Sequence, residues 1–299
     1  MARRPRAGVP QVIITKLSGG LGNQMFQYAV GRAAAWRAGA ELLIDNSIYA
    51  DPAPYPSREY ALSQFSLDER VAAKADVRAL VGGGLLERVL PRRWSGPRGR
   101  RVVEADFTFD PEILSCGAGV YLEGYWQSER YFLEFTDEIR QRFTLIDELS
   151  VSELPLARQM REAPSVSLHV RRGDYVAVAS TNELYGTCSL QYYAEALRVV
   201  CERAGAPRVF AFSDDPEWVK GNLKTDLPLC VVSDGRLTEG QELVLMSLCQ
   251  HHIVANSSFS WWGAWLDPSP DAIVVAPDRW FQAAPWDTRD LVPESWIRL

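Results

Sequence analysis

The feature that most constrains this chain is a regular alternation that begins at Ser165. Short apolar segments at Val166–Val170, Val209–Phe212, Leu229–Val232, Ile253–Ala255 and Ile273–Ala276 are separated by helical stretches at Leu190–Arg203, Asp215–Gly221 and Glu239–Gln250. Apolar runs this short read as strands buried on both faces, and the helices between them return the chain for parallel pairing. The pattern points to a parallel doubly wound α/β sheet and excludes all-β and all-α folds.

The first half opens in the same way. A strand at Val12–Thr15 runs into the glycine turn Gly19-Gly20-Leu21-Gly22, then a helical pattern from Asn23 to Arg37, then a strand at Glu41–Ile44. Met25, Phe26, Ala29, Ala33 and Trp36 fall at helical spacing. Asp51–Ser57 is Pro-rich and reads as a loop, and a helix over Glu69–Val81 ends at Gly82-Gly83-Gly84. Strands come next near Val102 and at Val120–Glu123, and residues 128–162 read as largely helical. The expectation is two α/β lobes, residues 1–160 and 161–299.

Composition narrows the partners. With 299 residues, 47% hydrophobic and 23% charged, the chain can bury a sizeable core. A net charge of −6 disfavours nucleic acid. No apolar run reaches the ~18 residues of a membrane-spanning helix. The basic stretch Met1–Pro10 leads into no apolar segment, so it does not read as a signal peptide. Five Cys without a C-x-x-C pair argue for a reducing compartment, and three His argue against a zinc site on count alone. No Asp-x-Asp occurs, so one common clamp for a metal-bound diphosphate is missing. The expected location is the cytoplasm. Six Arg in Arg88–Arg101 read either as a solvated loop or as a surface for anionic partners, including peripheral contact with the inner membrane face.

In parallel sheets ligands bind outside the carboxyl ends of the strands. The segments there are Gly19–Gln24, Arg171-Arg172-Gly173-Asp174, Ser213-Asp214-Asp215, Ser233-Asp234 and Asn256-Ser257-Ser258-Phe259, each small, polar or charged. The glycine turn has Met25 at the third glycine position and no G-K-[ST], so it is neither a complete dinucleotide fingerprint nor a P-loop. It reads as close backbone approach to a ligand with Asn23 and Gln24 as side-chain donors, or as a tight turn with a capping Asn. Strand alternation puts His169 and Arg171 on one face and Arg172 on the other. Arg171 can hold a diphosphate bidentately, with Asp174 orienting Arg171 or His169; the alternative is an Arg–Asp pair that pins the loop. Ser257-Ser258 offers hydroxyls and helix N–H groups to phosphate, or caps a helix; Ser213-Asp214 carries the same two readings. Trp261 and Trp265 at helical spacing read as core rather than as a sugar platform.

Three separated segments, Gly19–Tyr28, His169–Tyr175 and Ala255–Gly263, resemble the bacterial α-1,2-fucosyltransferases of glycosyltransferase family 11, in the same order and across roughly residues 11–280. The resemblance implies a GT-B-like fold of two Rossmann-like lobes with a cleft between them, the acceptor on the N-terminal lobe and GDP-β-L-fucose on the C-terminal lobe. It implies inverting transfer to O2 of a β-galactoside, with no metal and no cofactor. By that similarity Arg171 binds the β-phosphate, Asn23 sits by the fucose and the glycosidic oxygen, and Ser257, Ser258 and Phe259 hold the diphosphate. Glu242 matches an acidic position that reads guanine. Gly20, Gly22, Gln24, His169, Ser213, Asp214 and Asn256 complete the expected donor site. Asn23, His169, Arg171 and Asp174 are the expected catalytic group, with His169 and Asp174 as candidate proton acceptors. Two other readings stay open: a non-catalytic nucleotide-sugar or glycan-binding protein, and a GT-B transferase of another nucleotide sugar such as GDP-mannose.

Overall fold

The computed structural model describes residues 10–50, 58–81, 100–147, 151–162, 164–283 and 286–299. Of the sequence expectations, residues 1–9 of the basic N-terminus, the 51–57 loop, the glycine run at 82–84 and residues 88–99 of the Arg-rich segment lie outside the described residues. The chain divides into two compact α/β units, Met1–Phe143 and Thr144–Leu299. The division falls before residue 160 because helix Pro155–Glu162 belongs with the second unit, where Ser165 donates to the Met160 carbonyl at 2.6 Å.

The first unit contains β1 (Val12–Lys16), α1 (Leu21–Ala38), β2 (Glu41–Asp45), β3 (Arg70–Val71), α2 (Lys74–Val81), β4 (Arg100–Val103), β5 (Val120–Glu123) and α3 (Thr136–Arg142). Its sheet runs β3-β2-β1-β5-β4, with every pair parallel. Helix α1 is buried along most of its length, and Gly31 lets it lie close to the sheet: a Cβ there would sit 2.9 Å from Leu42 and from Thr15. Gly39, at φ +59°, ends the helix by donating to the carbonyls of Ala35 and Trp36. The expected helix over 69–81 begins at Lys74, because Arg70–Val71 joins the sheet edge beside β2.

Among the described residues the stretch 128–162 is largely helical, as expected, but in short pieces rather than one run. Two single 3-10 turns, Glu129–Tyr131 and Leu133–Phe135, precede α3. Packing overrides propensity here. Tyr131 and Phe132 are fully buried against Trp126 and Phe26, with ring centroids 5.8 and 6.3 Å apart.

The second unit contains α4 (Pro155–Glu162), β6 (Ser165–Val170), α5 (Gly173–Ala177), α6 (Ala179–Tyr185), α7 (Leu190–Ala204), β7 (Arg208–Ser213), α8 (Pro216–Asn222), β8 (Leu229–Val231), α9 (Glu239–Ser247), β9 (His251–Ile253), α10 (Ser258–Trp265), β10 (Val274–Ala276) and β11 (Ile297–Arg298). Its parallel sheet runs β11-β10-β9-β6-β7-β8. Central β6 is buried at every position, as a strand covered on both faces must be. Trp261, Trp262 and Trp265 are core residues.

Each sheet has one point at which the strand order reverses. In the first unit β1 has β2 on one side and β5 on the other; in the second β6 has β7 on one side and β9 on the other. The carboxyl ends of β1/β5 and of β6/β9 are therefore where a ligand crevice is expected. Among the described residues no helix is long and apolar enough to cross a membrane.

Candidate functional site

The β6/β9 switch point of the second unit gathers most of the sequence-marked residues. His169 is the penultimate residue of β6, and its ring lies 5.5 Å from that of Phe259 in the first turn of α10. The Tyr175 hydroxyl donates to the Asn256 carbonyl at 3.1 Å, tying the loop after β6 to the loop after β9.

Arg171 is the fixed cation of this crevice. Its guanidinium reaches Asp174 at 2.5 Å and Asp214 at 2.9 Å, and lies 5.3 Å from the centroid of the Tyr175 ring. Burial alone would lower its pKa, but the Asp214 and Asp174 carboxylates outweigh that and hold it above the ordinary value. Asp174 thus orients Arg171, not His169. Asp214 also accepts from the Arg172 backbone N–H at 2.8 Å. A Cβ at Gly173 would meet Asp214 at 2.5 Å, so the bare backbone is what admits that carboxylate. Arg172 turns elsewhere: it pairs with Asp215 at 3.2 Å and lies 4.0 Å over the Trp218 ring.

His169 is fully buried, and desolvation, reinforced by Arg171, pushes its pKa down to about 3. Its imidazole is neutral at physiological pH and its Nδ1 is buried without a hydrogen-bond partner. Such a ring is a weak proton acceptor and a good neutral hydrogen-bonding group.

The serines after β9 differ from an ordinary cap. Ser257 is the N-cap of α10, yet its side chain makes no capping hydrogen bond. Its hydroxyl is thus not used on the helix, and the first-turn N–H groups of α10 face the same end. Asn256 is a staple instead: its amide donates to the carbonyls of Tyr185, Gly186 and Trp280 at 3.0, 3.2 and 3.2 Å. Ser213 is likewise occupied, donating to the Val170 carbonyl at 2.8 Å and accepting from Asp215 N at 3.0 Å. Ser233 accepts from Ser213 N and donates to Glu242 at 2.9 Å, which carries hydrogen bonding from β7 to α9. Burial pushes the Glu242 carboxyl up to about 7.

The remaining sequence-marked residues lie in the first unit, at the end of β1. Gly19 has φ +76°, and a Cβ there would strike the Asn23 amide at 2.6 Å. The Gly20 carbonyl accepts from the backbone N–H groups of Asn23 and Gln24, both at 3.1 Å. Gly22 is buried in the first turn of α1. Gln24, expected as a ligand donor, is used internally: it donates to the carbonyls of Gly19 and Glu59 and accepts from Ala61 N. Asn23 accepts from the Gln127 side chain at 2.7 Å. Sequence reasoning does not single out Gln127 or Glu104, because it weighs the segment at the end of β1 and passes over those at the ends of β4 and β5. Among the described residues no group of three or more His, Cys, Asp or Glu could hold a metal ion.

Residues 104–299 match the family model for glycosyl transferase family 11. An α-1,2-colitosyltransferase of Escherichia coli is 33% identical over 301 residues, covering 96% of this chain and 99% of that protein. Galactoside α-(1,2)-fucosyltransferase 1 of Homo sapiens is 29% identical over 154 residues, 48% of this chain and 42% of that one. Among solved structures, fucosyltransferase NodZ from Bradyrhizobium superposes with a TM-score of 0.50 at 15% identity, over 87% of this chain and 94% of that one. That likeness supports the GT-B-like fold.

Proposed function

Because the chain belongs to glycosyltransferase family 11, we propose that it transfers L-fucose from GDP-β-L-fucose to O2 of a terminal β-galactoside, with inversion and without a metal. The galactose O2 attacks the fucose anomeric carbon, the bond from that carbon to the β-phosphate oxygen breaks, the hydroxyl proton passes to solvent water, and GDP leaves. Charge builds on the departing diphosphate, and stabilising it is the main task of the site.

The observation that carries this reading is Arg171, held by Asp174 and Asp214 on a loop that Tyr175 ties to Asn256, just before α10. Both terminal nitrogens of Arg171 are paired with carboxylates in the ligand-free protein, so a diphosphate binds here by displacing Asp174 or Asp214 from part of the fork, which can then hold two phosphate oxygens. The uncommitted Ser257 hydroxyl and the α10 amides suit the same anion. Glu242 suits the N–H edge of a guanine. His169, with its pKa near 3, is assigned as a neutral hydrogen-bonding group and not as the base. Asp174 is assigned to orient Arg171. With a good leaving group the reaction is driven by departure more than by proton abstraction.

The same site supports a second reading, transfer of colitose, favoured by the 33% identical colitosyltransferase. Colitose is fucose without its 3-hydroxyl. The test is to incubate the protein with GDP-fucose or GDP-colitose and lactose, with and without EDTA, and to determine the product linkage. An EDTA-resistant Fucα1-2Gal product is expected. Loss of activity in EDTA, restored by Mg²⁺ or Mn²⁺, overturns the metal-free mechanism; product from GDP-colitose alone selects the second reading.

A further inference from the structure

In the first unit the carboxyl ends of β4 and β5 carry residues of a different kind. After β5 comes Gly124-Tyr125-Trp126-Gln127. Trp126 has φ +56°, a left-handed conformation strained for a bulky residue, and is the one non-glycine residue with positive φ among the described residues. Glu104, directly after β4, holds it there: the carboxylate accepts from Tyr125 N at 2.6 Å and from Trp126 N at 2.8 Å. The approach is close enough that a Cβ on Gly124 would lie 2.4 Å from the Glu104 Cβ.

This bracing has two results. The half-buried Tyr125 ring stacks on Phe107, with centroids 6.1 Å apart and planes 11° from parallel. Gln127 is turned onto Asn23, its amide donating at 2.7 Å. Gln127 Oε1 is buried without a partner, as are Trp126 Nε1 and Ser128 Oγ. Buried polar atoms are almost always paired, so an orphan acceptor in a ligand-free protein marks a missing donor. Backbone strain that several neighbours hold in place is also a recurrent feature of ligand sites.

We propose that this braced loop is the acceptor-sugar subsite, with the Tyr125–Phe107 pair as the platform for a galactoside ring and Gln127 as the amide that fixes Asn23 and accepts a sugar hydroxyl. The proposal rests on the transferase reading above. A galactopyranoside is neutral, with one apolar C–H face and a hydroxyl rim. Aromatic faces and neutral amides match it, as they match small-molecule sites in general, where apolar walls carry a few placed polar groups. Glu104 is a positioning residue: both of its contacts go to the loop backbone.

The test uses steady-state kinetics with methyl β-D-galactoside varied at saturating GDP-fucose, and GDP binding read by thermal shift on the same preparations. Tyr125→Ala is expected to raise the acceptor KM about tenfold while leaving the GDP shift unchanged. Gln127→Glu keeps the shape but cannot donate to Asn23, and is expected to lower kcat more than it changes KM. Should Tyr125→Ala fail to fold, Tyr125→Leu removes the ring at similar volume and carries the same test. An unchanged acceptor KM in the ring-less variant, or loss of its GDP shift, overturns the proposal, as does an unchanged kcat in Gln127→Glu. Wild-type protein that transfers to no galactoside from either GDP-fucose or GDP-colitose refutes the transferase reading instead, so the two failures are distinguishable.

Discussion

Two switch points stand at equivalent places in two parallel sheets and carry different chemistry at their strand ends. At the β6/β9 point of the second unit the central group is a guanidinium clamped by two carboxylates. At the β1/β5 point of the first unit it is a pair of linked amides, Asn23 and Gln127, with aromatic rings beside them. Glu104 is turned onto backbone N–H groups, and burial pushes its pKa up to about 7. Glu123, the last residue of β5, pairs with Lys16 at the end of β1 at 2.9 Å. The fold chooses where a ligand goes, and the residue types choose which ligand. A diphosphate that displaces a carboxylate from Arg171 suits the first set, and the amides and rings of the second suit a neutral polyol.

The sharpest way to break this contrast is at Arg171. Arg171→Ala is expected to lower kcat by about 10²–10³-fold, and Arg171→Lys should not restore it, because a point charge cannot reproduce the fork. Arg172→Ala should lose far less, since its guanidinium packs on Trp218 and pairs with Asp215. Steady-state fucosyl transfer by the three folded variants decides; equal losses at both arginines would end the assignment.

Next in size is the separation of staples from ligand groups. Gln24→Ala and Asn256→Ala each strip internal hydrogen bonds and should cost about 1–3 kcal/mol of stability. Denaturant titration measures this, and GDP binding by the protein that remains folded should persist. Stability left intact with binding lost would return both residues to the site.

Acidity gives a smaller and graded effect. If Glu242 accepts from guanine it must be ionised, and its pKa in the free protein is about 7. GDP affinity should therefore fall as pH drops from 8 to 6, toward a tenfold loss per unit well below the pKa, and isothermal titration of Glu242→Gln should show weaker binding with a flatter profile. The stability effect has the opposite sign. A raised carboxyl pKa means that the folded state holds the proton more tightly, so this group's contribution is present below about 4.5 and is lost as pH rises through about 7.

The smallest expected effect is at Ser257. Without a capping bond to lose, Ser257→Ala should change stability by less than about 0.5 kcal/mol while weakening GDP several-fold. A melting-temperature drop with GDP affinity intact would make it a structural cap after all.

The second unit is legible in the sequence because buried parallel strands announce themselves as apolar runs; the proposed ligand groups Arg171 and Ser257, and Asp214 that pairs with Arg171, all lie just past their carboxyl ends. What the sequence cannot show is which polar side chains are already occupied. Asn256 and Gln24 look like donors in sequence, yet each is satisfied by backbone carbonyls brought in from distant segments. The first unit is harder. Arg70–Val71 is too short to show a period, and the helical stretch 128–162 opens with two short 3-10 turns, around the buried Tyr131 and Phe132, that no period marks. The Gly124–Gln127 loop sits at the carboxyl end of β5, a strand that is evident in the sequence, so the same rule reaches it once applied there.

The parallel pairing of both sheets also has a consequence for how the chain is made. No strand here can meet its neighbour through a tight hairpin, and β1 pairs with β5 through Ile13 and Val120. At about 5–20 residues per second, a ribosome delivers Val120 roughly 5–20 s after Ile13. Throughout that interval β1 has an open, apolar edge, even after β2 has joined its other side. Pairing so distant in sequence also makes refolding slow. Crowded synthesis of the nascent chain, more than any weakness of the finished protein, is therefore the stage at which aggregation is expected, and slower or cooler expression should raise the soluble yield.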